Sequence, residues 1–131
     1  MLKQLSIYAE NKKGALQTMT NALYEAGINI WGSVTNDGAE YGINRMVVSD
    51  PDKAKEVLTE KGYLCRFVDV LAVEIEDKPG ALNTLLTALL DSNVNVDYTY
   101  LSFNRDSSTP VMILHTADPE EVDCLLYTSD A

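Results

Sequence analysis

The sequence is poor in the residues that most often carry chemistry. Its 131 residues include one histidine, His115, and two cysteines, Cys65 and Cys124. The cysteines lie far apart, with no CxxC spacing and no Cys/His cluster, so two reduced thiols are expected rather than a metal site or a redox pair. Positive charge is scarce: 10 Lys and Arg stand against 20 Asp and Glu, a formal net charge of −10. Such a surface repels nucleic-acid phosphates and anionic membranes, and its simplest consequence is solubility. No apolar run approaches the roughly 20 residues of a membrane span. No signal peptide fits ahead of the strand-like alternation that opens the chain, which predicts a cytoplasmic location. A Walker-type phosphate loop is lacking, and no Ser or Cys nucleophile signature accompanies His115, so neither a catalytic residue nor a cofactor is assigned.

What the sequence does contain is a copy of itself. Leu5-Ser6-Ile7-Tyr8-Ala9-Glu10-Asn11-Lys12-Lys13-Gly14-Ala15-Leu16 aligns with Leu71-Ala72-Val73-Glu74-Ile75-Glu76-Asp77-Lys78-Pro79-Gly80-Ala81-Leu82 at an offset of 66 residues. The match runs ungapped through Leu23/Leu89, Ile28/Val94, Asn29/Asn95 and Ile30/Val96. After a two-residue expansion, Ser49-Asp50-Pro51-Asp52 meets Ala117-Asp118-Pro119-Glu120. A unit this long is a whole small domain, which places one domain at residues 1–68 and a second at 69–131.

Each copy has the same expected elements. Leu5, Ile7 and Ala9, like Leu71, Val73 and Ile75, alternate with polar neighbours, as a strand with one buried face requires. The period then changes: Leu82, Leu85, Leu86 and Leu89 form one face of a helix, and Leu16, Met19, Leu23 and Ala26 form its counterpart. Gly27 ends the first of these helices as a left-handed C′ residue, and Asn93 serves the second. Two strands follow, Ile28 to Thr35 and Tyr41 to Val48 around an Asp-Gly turn, then Val94 to Phe103 and Pro110 to Thr116 in the second copy. Asp50-Pro51 and Asp118-Pro119 open a further helix, with Asp as N-cap and Pro at the first helical position. Gly62 closes the first of these, and Tyr63 to Phe67 forms a fourth strand that runs almost without linker into the next copy. The order strand, helix, strand, strand, helix, strand is the ferredoxin-like βαββαβ plan: α+β, an antiparallel sheet with both helices on one face. The second copy lacks its last strand, because the counterpart of Tyr63–Phe67 falls beyond the last residue. The second helix of that copy loses its pattern after Leu126, for Tyr127-Thr128-Ser129-Asp130-Ala131 has no clean stripe.

That plan serves many functions, so function must be read from a site. Asp77-Lys78-Pro79-Gly80-Ala81-Leu82, after Val73-Glu74-Ile75-Glu76, resembles the signature first turn of the ACT domain. Asn11-Lys12-Lys13-Gly14-Ala15-Leu16 is a variant of it, with Lys13 where proline is common. Gly27-Ile28-Asn29-Ile30 and Asn93-Val94-Asn95-Val96 also resemble that family where its second strand begins. The likeness covers nearly the whole chain twice over and is similar to small tandem ACT proteins that carry no enzyme domain. It implies a non-catalytic regulatory protein that binds a free amino acid at the turn and a domain interface, as a homodimer. The implied ligand residues are Asn11, Lys13, Gly14, Ala15, Leu16, Asn29 and Ile30 in one copy. In the other they are Asp77, Pro79, Gly80, Ala81, Leu82, Asn95 and Val96.

The turn suits that ligand on physical grounds too. Gly14 and Gly80 permit a sharp turn and close approach of a ligand. The helix that follows begins with N–H groups lacking internal partners, which attract an α-carboxylate. Asn11 and Asp77 can accept from an α-ammonium group. The plainer alternative is that Asn11 and Asp77 only cap their helices and the glycines only make the turns. Elsewhere the plain alternative leads: His115 as a solvated or paired structural residue, Trp31 as core or interface, Tyr98 and Tyr100 as cross-strand packing, and Glu74 and Glu76 as a solvated strand face. A second function stays open, that of a protein–protein module such as the regulatory subunit of a biosynthetic enzyme with no ligand site of its own. An acylphosphatase-like enzyme is disfavoured because neither turn holds an arginine, and RNA binding because of the charge and the missing aromatic motif.

Overall fold

In the computed structural model the described residues are 1–10, 12–37, 41–103 and 109–122. In chain order the elements are β1 (Leu2–Glu10), α1 (Ala15–Glu25), β2 (Ile30–Asp37), β3 (Tyr41–Val48), α2 (Pro51–Glu60), β4 (Leu64–Glu74), α3 (Ala81–Asp91), β5 (Val96–Phe103) and β6 (Pro110–Thr116). A further helical turn covers residues 119–122. The chain separates into a unit of Lys3–Val68 and a unit of Asp69–Ala131 with Met1–Leu2. Where a fourth strand of the second copy would belong, beyond residue 122, lies outside the described residues.

The first unit has strand order β2-β3-β1-β4. Its β1–β3 and β2–β3 ladders are antiparallel, with Leu5 opposite Met46 and Ile7 opposite Asn44 between β1 and β3. Strand alternation sends Leu5, Ile7, Met46 and Val48 to one face, where Met19 and Leu23 of α1 and Ala54 and Leu58 of α2 cover them. Each wholly buried Leu, Ile or Met in such a core contributes about 1.5–3 kcal/mol. The second unit repeats the arrangement with β4-β6-β5, pairing Leu71 with Leu114 and Val73 with Met112. Leu71, Leu89, Leu114 and Val122 form its core.

Helix ends follow the local chemistry of the sequence. Ala26, Lys61 and Ser92 are the C-cap residues, and Gly27, Gly62 and Asn93 follow them with φ of 73°, 93° and 60°. Ile28 N–H returns to Leu23 O at 3.0 Å, Tyr63 N–H to Leu58 O at 3.0 Å, and Val94 N–H to Leu89 O at 2.9 Å. These are Schellman closures, which satisfy carbonyls the helix leaves open. Asp50 Oδ1 accepts from Lys53 N–H and Asp118 Oδ1 from Glu121 N–H, both at 3.2 Å, as N-caps.

Two details differ from the sequence reading. The fourth strand of the first copy and the first strand of the second are one continuous strand, β4. Val68-Asp69-Val70 offers no glycine, proline or turn pair to stop it, and β-branched residues favour continuation. The second strands also start two residues late, at Ile30 and Val96, because Ile28 and Val94 are held by the Schellman closures. Each then bulges, between Ile30 and Gly32 and between Val96 and Tyr98, so Trp31 and Asp97 occupy matching irregular positions.

Candidate functional site

The end of β1, the turn after it and the first turns of α1 stand over the far ends of β2 and β3. Cross-strand register fixes the floor. Ala9 faces Gly42, while Ile7, Asn44 and Thr35 lie side by side across β1, β3 and β2. Two small residues, Ala9 and Gly42, leave room beneath α1, whereas Leu5 and Met46 fill it four residues back along the same face. The result is a cavity of about 360 Å³, with Glu10, Lys12 and Gly14 at its turn, Leu16 and Gln17 on the helix, and Thr35 and Asn44 at its base. On the other side of the same turn lies a broader recess of about 830 Å³, with Tyr8, Lys13, Lys61 and Tyr63 along it.

Gly14 is the N-cap of α1 at φ 84°, ψ −2°, and no side chain among the described residues caps the helix. A residue with a side chain would be strained at this φ, which is why glycine stands here. Ala15 N–H turns back to Lys12 O at 3.1 Å, and the first helical bond is Thr18 N–H to Gly14 O at 3.0 Å. Between them, the N–H groups of Leu16 and Gln17 have no acceptor in the helix, as the geometry of any helix start dictates. The helix dipole adds about 0.3–1 kcal/mol of preference for an anion there. Thr18 Oγ1 donates to Gly14 O at 2.9 Å, tying the turn to the helix.

The site carries both signs of charge. Glu10 and Lys12 pair at 3.3 Å with both side chains largely exposed. At the base, Asn44 is 4% exposed; its Nδ2 donates to Thr35 Oγ1 at 2.8 Å and to Ser33 Oγ at 3.1 Å. A polar residue on a core-facing strand position is costly unless hydrogen-bonded, and this one is.

The structure sorts the expected ligand residues. It brings Gly14, Ala15 and Leu16 together around the cavity, and Lys13 along the adjoining recess. Asn11 lies outside the described residues. Asn29 and Ile30 sit at the opposite end of β2 from Thr35; Asn29 N–H donates to Ser49 Oγ at 2.9 Å, and neither residue lines the cavity. In the second copy Gly80 is the N-cap of α3 at φ 85°, again with no side-chain cap, so the alternative in which Asp77 caps that helix is not realised. Asp77 and Pro79 are exposed beside it, and Ala81 and Leu82 are half-buried. Lys78 pairs with Glu76 at 2.9 Å; that ammonium holds the Glu76 carboxyl below its usual range, through the hydrogen bond first and the charge second. Asn95 Nδ2 donates to Asp97 Oδ1 at 3.2 Å, and Val96 packs on the core of its unit.

Glu10, Gln17, Thr35, Gly42 and Asn44 escaped the sequence reading. One signal existed. Alternation from Val48 and Met46 calls for an apolar residue at position 44, and the second copy has Met112 there. His115 is the paired structural residue expected: its Nδ1 lies 2.9 Å from Asp97 Oδ2, and its ring stacks on Tyr98 with centroids 4.9 Å apart.

A βαββαβ unit whose last strand runs on into a second β-α-β-β copy defines the class of tandem ferredoxin-like proteins. The sequence profile of the ACT domain pair matches residues 1–128, and the chain belongs to that family. Among curated proteins, no sequence matches it. A crystal structure of a Bacteroides thetaiotaomicron protein is similar at 30% identity and TM-score 0.89, covering 98% of this chain and 88% of that one. The ligand-free regulatory subunit of aspartate kinase from Thermus thermophilus shares the fold at 13% identity and TM-score 0.66, covering 88% and 83%. The regulatory subunit of aspartate kinase from Thermus flavus does so at 17% identity and TM-score 0.58, covering 87% and 83%. Among the described residues no helix is long and apolar enough to cross a membrane.

Proposed function

We propose that the chain is a non-catalytic regulatory protein that binds a free amino acid at the turn between β1 and α1 of its first copy. The observation that carries this is the start of α1, capped by no side chain among the described residues, opening on a cavity of about 360 Å³ that Glu10 and Asn44 also line. The Leu16 and Gln17 N–H groups suit an α-carboxylate, and the Glu10 carboxylate suits an α-ammonium group, so the two ends of a zwitterion meet opposite charges. The side chain of the ligand then points at Ala9, Gly42, Thr35 and Asn44. Leu16, at the rim, is 48% exposed, an apolar surface that a second copy of the chain would cover. In this reading the protein acts as a homodimer, and the amino acid biases its arrangement by its differential affinity. Calorimetry and thermal shift against the twenty amino acids test the reading. A saturable response to one or a few of them is expected. No response at millimolar concentration, together with stoichiometric capture of a biosynthetic enzyme, would replace it with the protein–protein module.

A further inference from the structure

The two copies differ sharply at the carboxyl ends of their first helices. In the first copy, Lys53 Nζ donates to Ala26 O, the C-cap carbonyl of α1, at 2.9 Å. An ammonium is favoured there because the last carbonyls of a helix carry partial negative charge. At the offset of 68 that joins Asp50 to Asp118, Lys53 corresponds to Glu121. The C-cap of α3, equivalent to Ala26, is Ser92. A carboxylate thus stands where the first copy has its ammonium.

The space left open is a cavity of about 410 Å³ lined by Ser92, Asp97, Thr116, Asp118 and Glu121. None of the described residues lining it is Lys or Arg. Asp97 is engaged by His115 and Asn95, and Asp118 by the Glu121 N–H. None of these contacts supplies a counter-charge to the Glu121 carboxylate or the end of α3. Among the described residues no three carboxylate, His or Cys groups gather closely enough to hold a metal ion. Val94 and Val122 add an apolar wall.

A second observation points the same way. Thr116 is 2% exposed and lines this cavity, and its buried Oγ1 has no hydrogen-bond partner among the described residues. Its counterpart in the first copy is Val48, of nearly the same shape. Packing therefore does not need the hydroxyl, and an unpartnered buried hydroxyl is costly.

We propose that this cavity of the second copy binds the ammonium group of a small organic amine, in the place that Lys53 fills in the first, with Glu121, the Ser92 carbonyl and the Thr116 hydroxyl as its partners. The site stands apart from the amino-acid reading above and does not depend on it. The test titrates the full chain with n-butylamine and follows the ring protons of His115, the sequence's single histidine, by NMR. A saturable shift is expected, and 1-butanol should produce none. Glu121→Lys should abolish the titration and raise the melting temperature, because the new ammonium occupies the site from within. Thr116→Val should weaken binding about three- to tenfold, and Thr116→Ser should restore it. No saturable shift at millimolar amine would overturn the proposal. So would an equal response to tetramethylammonium, which has no N–H to donate, or undiminished binding by Glu121→Lys.

Discussion

In the ligand-free chain, replacing Gly14 by alanine strains the backbone and meets no neighbouring atom. A Cβ added there meets nothing within 4 Å, and the same holds at Gly80. The two glycines have nearly the same conformation, with φ of 84° and 85°. The loss is thus the cost of holding an L-residue in the left-handed region, about 1–2 kcal/mol. Lower entropy of the unfolded chain offsets about 0.4–1 kcal/mol of it. A net loss near 1 kcal/mol follows, equivalent to a fall in Tm of about 3–5 °C for a chain of this size. Chemical and thermal denaturation of Gly14→Ala and Gly80→Ala should therefore give matching losses. Ligand response separates them. An amino acid at a hundredfold excess over its Kd stabilises by about 2.7 kcal/mol, and Gly14→Ala should forfeit most of that shift while Gly80→Ala keeps it. The reasoning is refuted if the two losses differ by more than twofold, or if Gly14→Ala retains the full ligand shift.

Other consequences can be measured alongside. Leu23→Ala, at a wholly buried position between α1 and the sheet, should cost about 2–5 kcal/mol, whereas Leu90→Ala, 73% exposed, should stay within about 0.5 kcal/mol; equal effects in urea denaturation would contradict the core described. Asp50→Ala removes the cap on Lys53 N–H and should cost about 1 kcal/mol, read by the same denaturation. Burial pushes the Cys65 thiol up, against the lowering influence of Thr59 and the Lys55 charge. Its raised folded-state pKa contributes stability that is present below the unfolded value and lost as pH rises through the folded one. Mass-mapped alkylation should therefore be slow at Cys65 in the folded chain at mildly alkaline pH and fast in urea; labelling at the rate of a free thiol would contradict it.

The elements were legible because their signals are local. The change from period two at Leu5-Ile7-Ala9 to a helical stripe, the Asp-Pro helix starts and the glycine stops act over a few residues each. The repeat made them legible twice. The merger of two strands into β4 was hidden, since a strand ends only where something stops it and Val68-Asp69-Val70 contains no such signal. The bulges at Trp31 and Asp97 depend on where the ladder resumes after a Schellman closure, which the strand residues alone do not reveal.

The turn residues of the site were also determined by sequence, for Gly14 and Gly80 stand where only a left-handed conformation continues the chain into a helix. The cavity was not. Glu10, Gln17, Thr35, Gly42 and Asn44 come from four elements, and strand register is what sets Asn44 beside Thr35 and Gly42 opposite Ala9. Register is a relation between distant segments, fixed when both bury their apolar faces against the same helices. The same holds in the second copy, where Glu121 reads as a helix surface residue until Ser92 and Thr116 are brought to the same cavity. Sequence alone determined the repeated elements and the glycine turns between them; tertiary packing decided what they enclose.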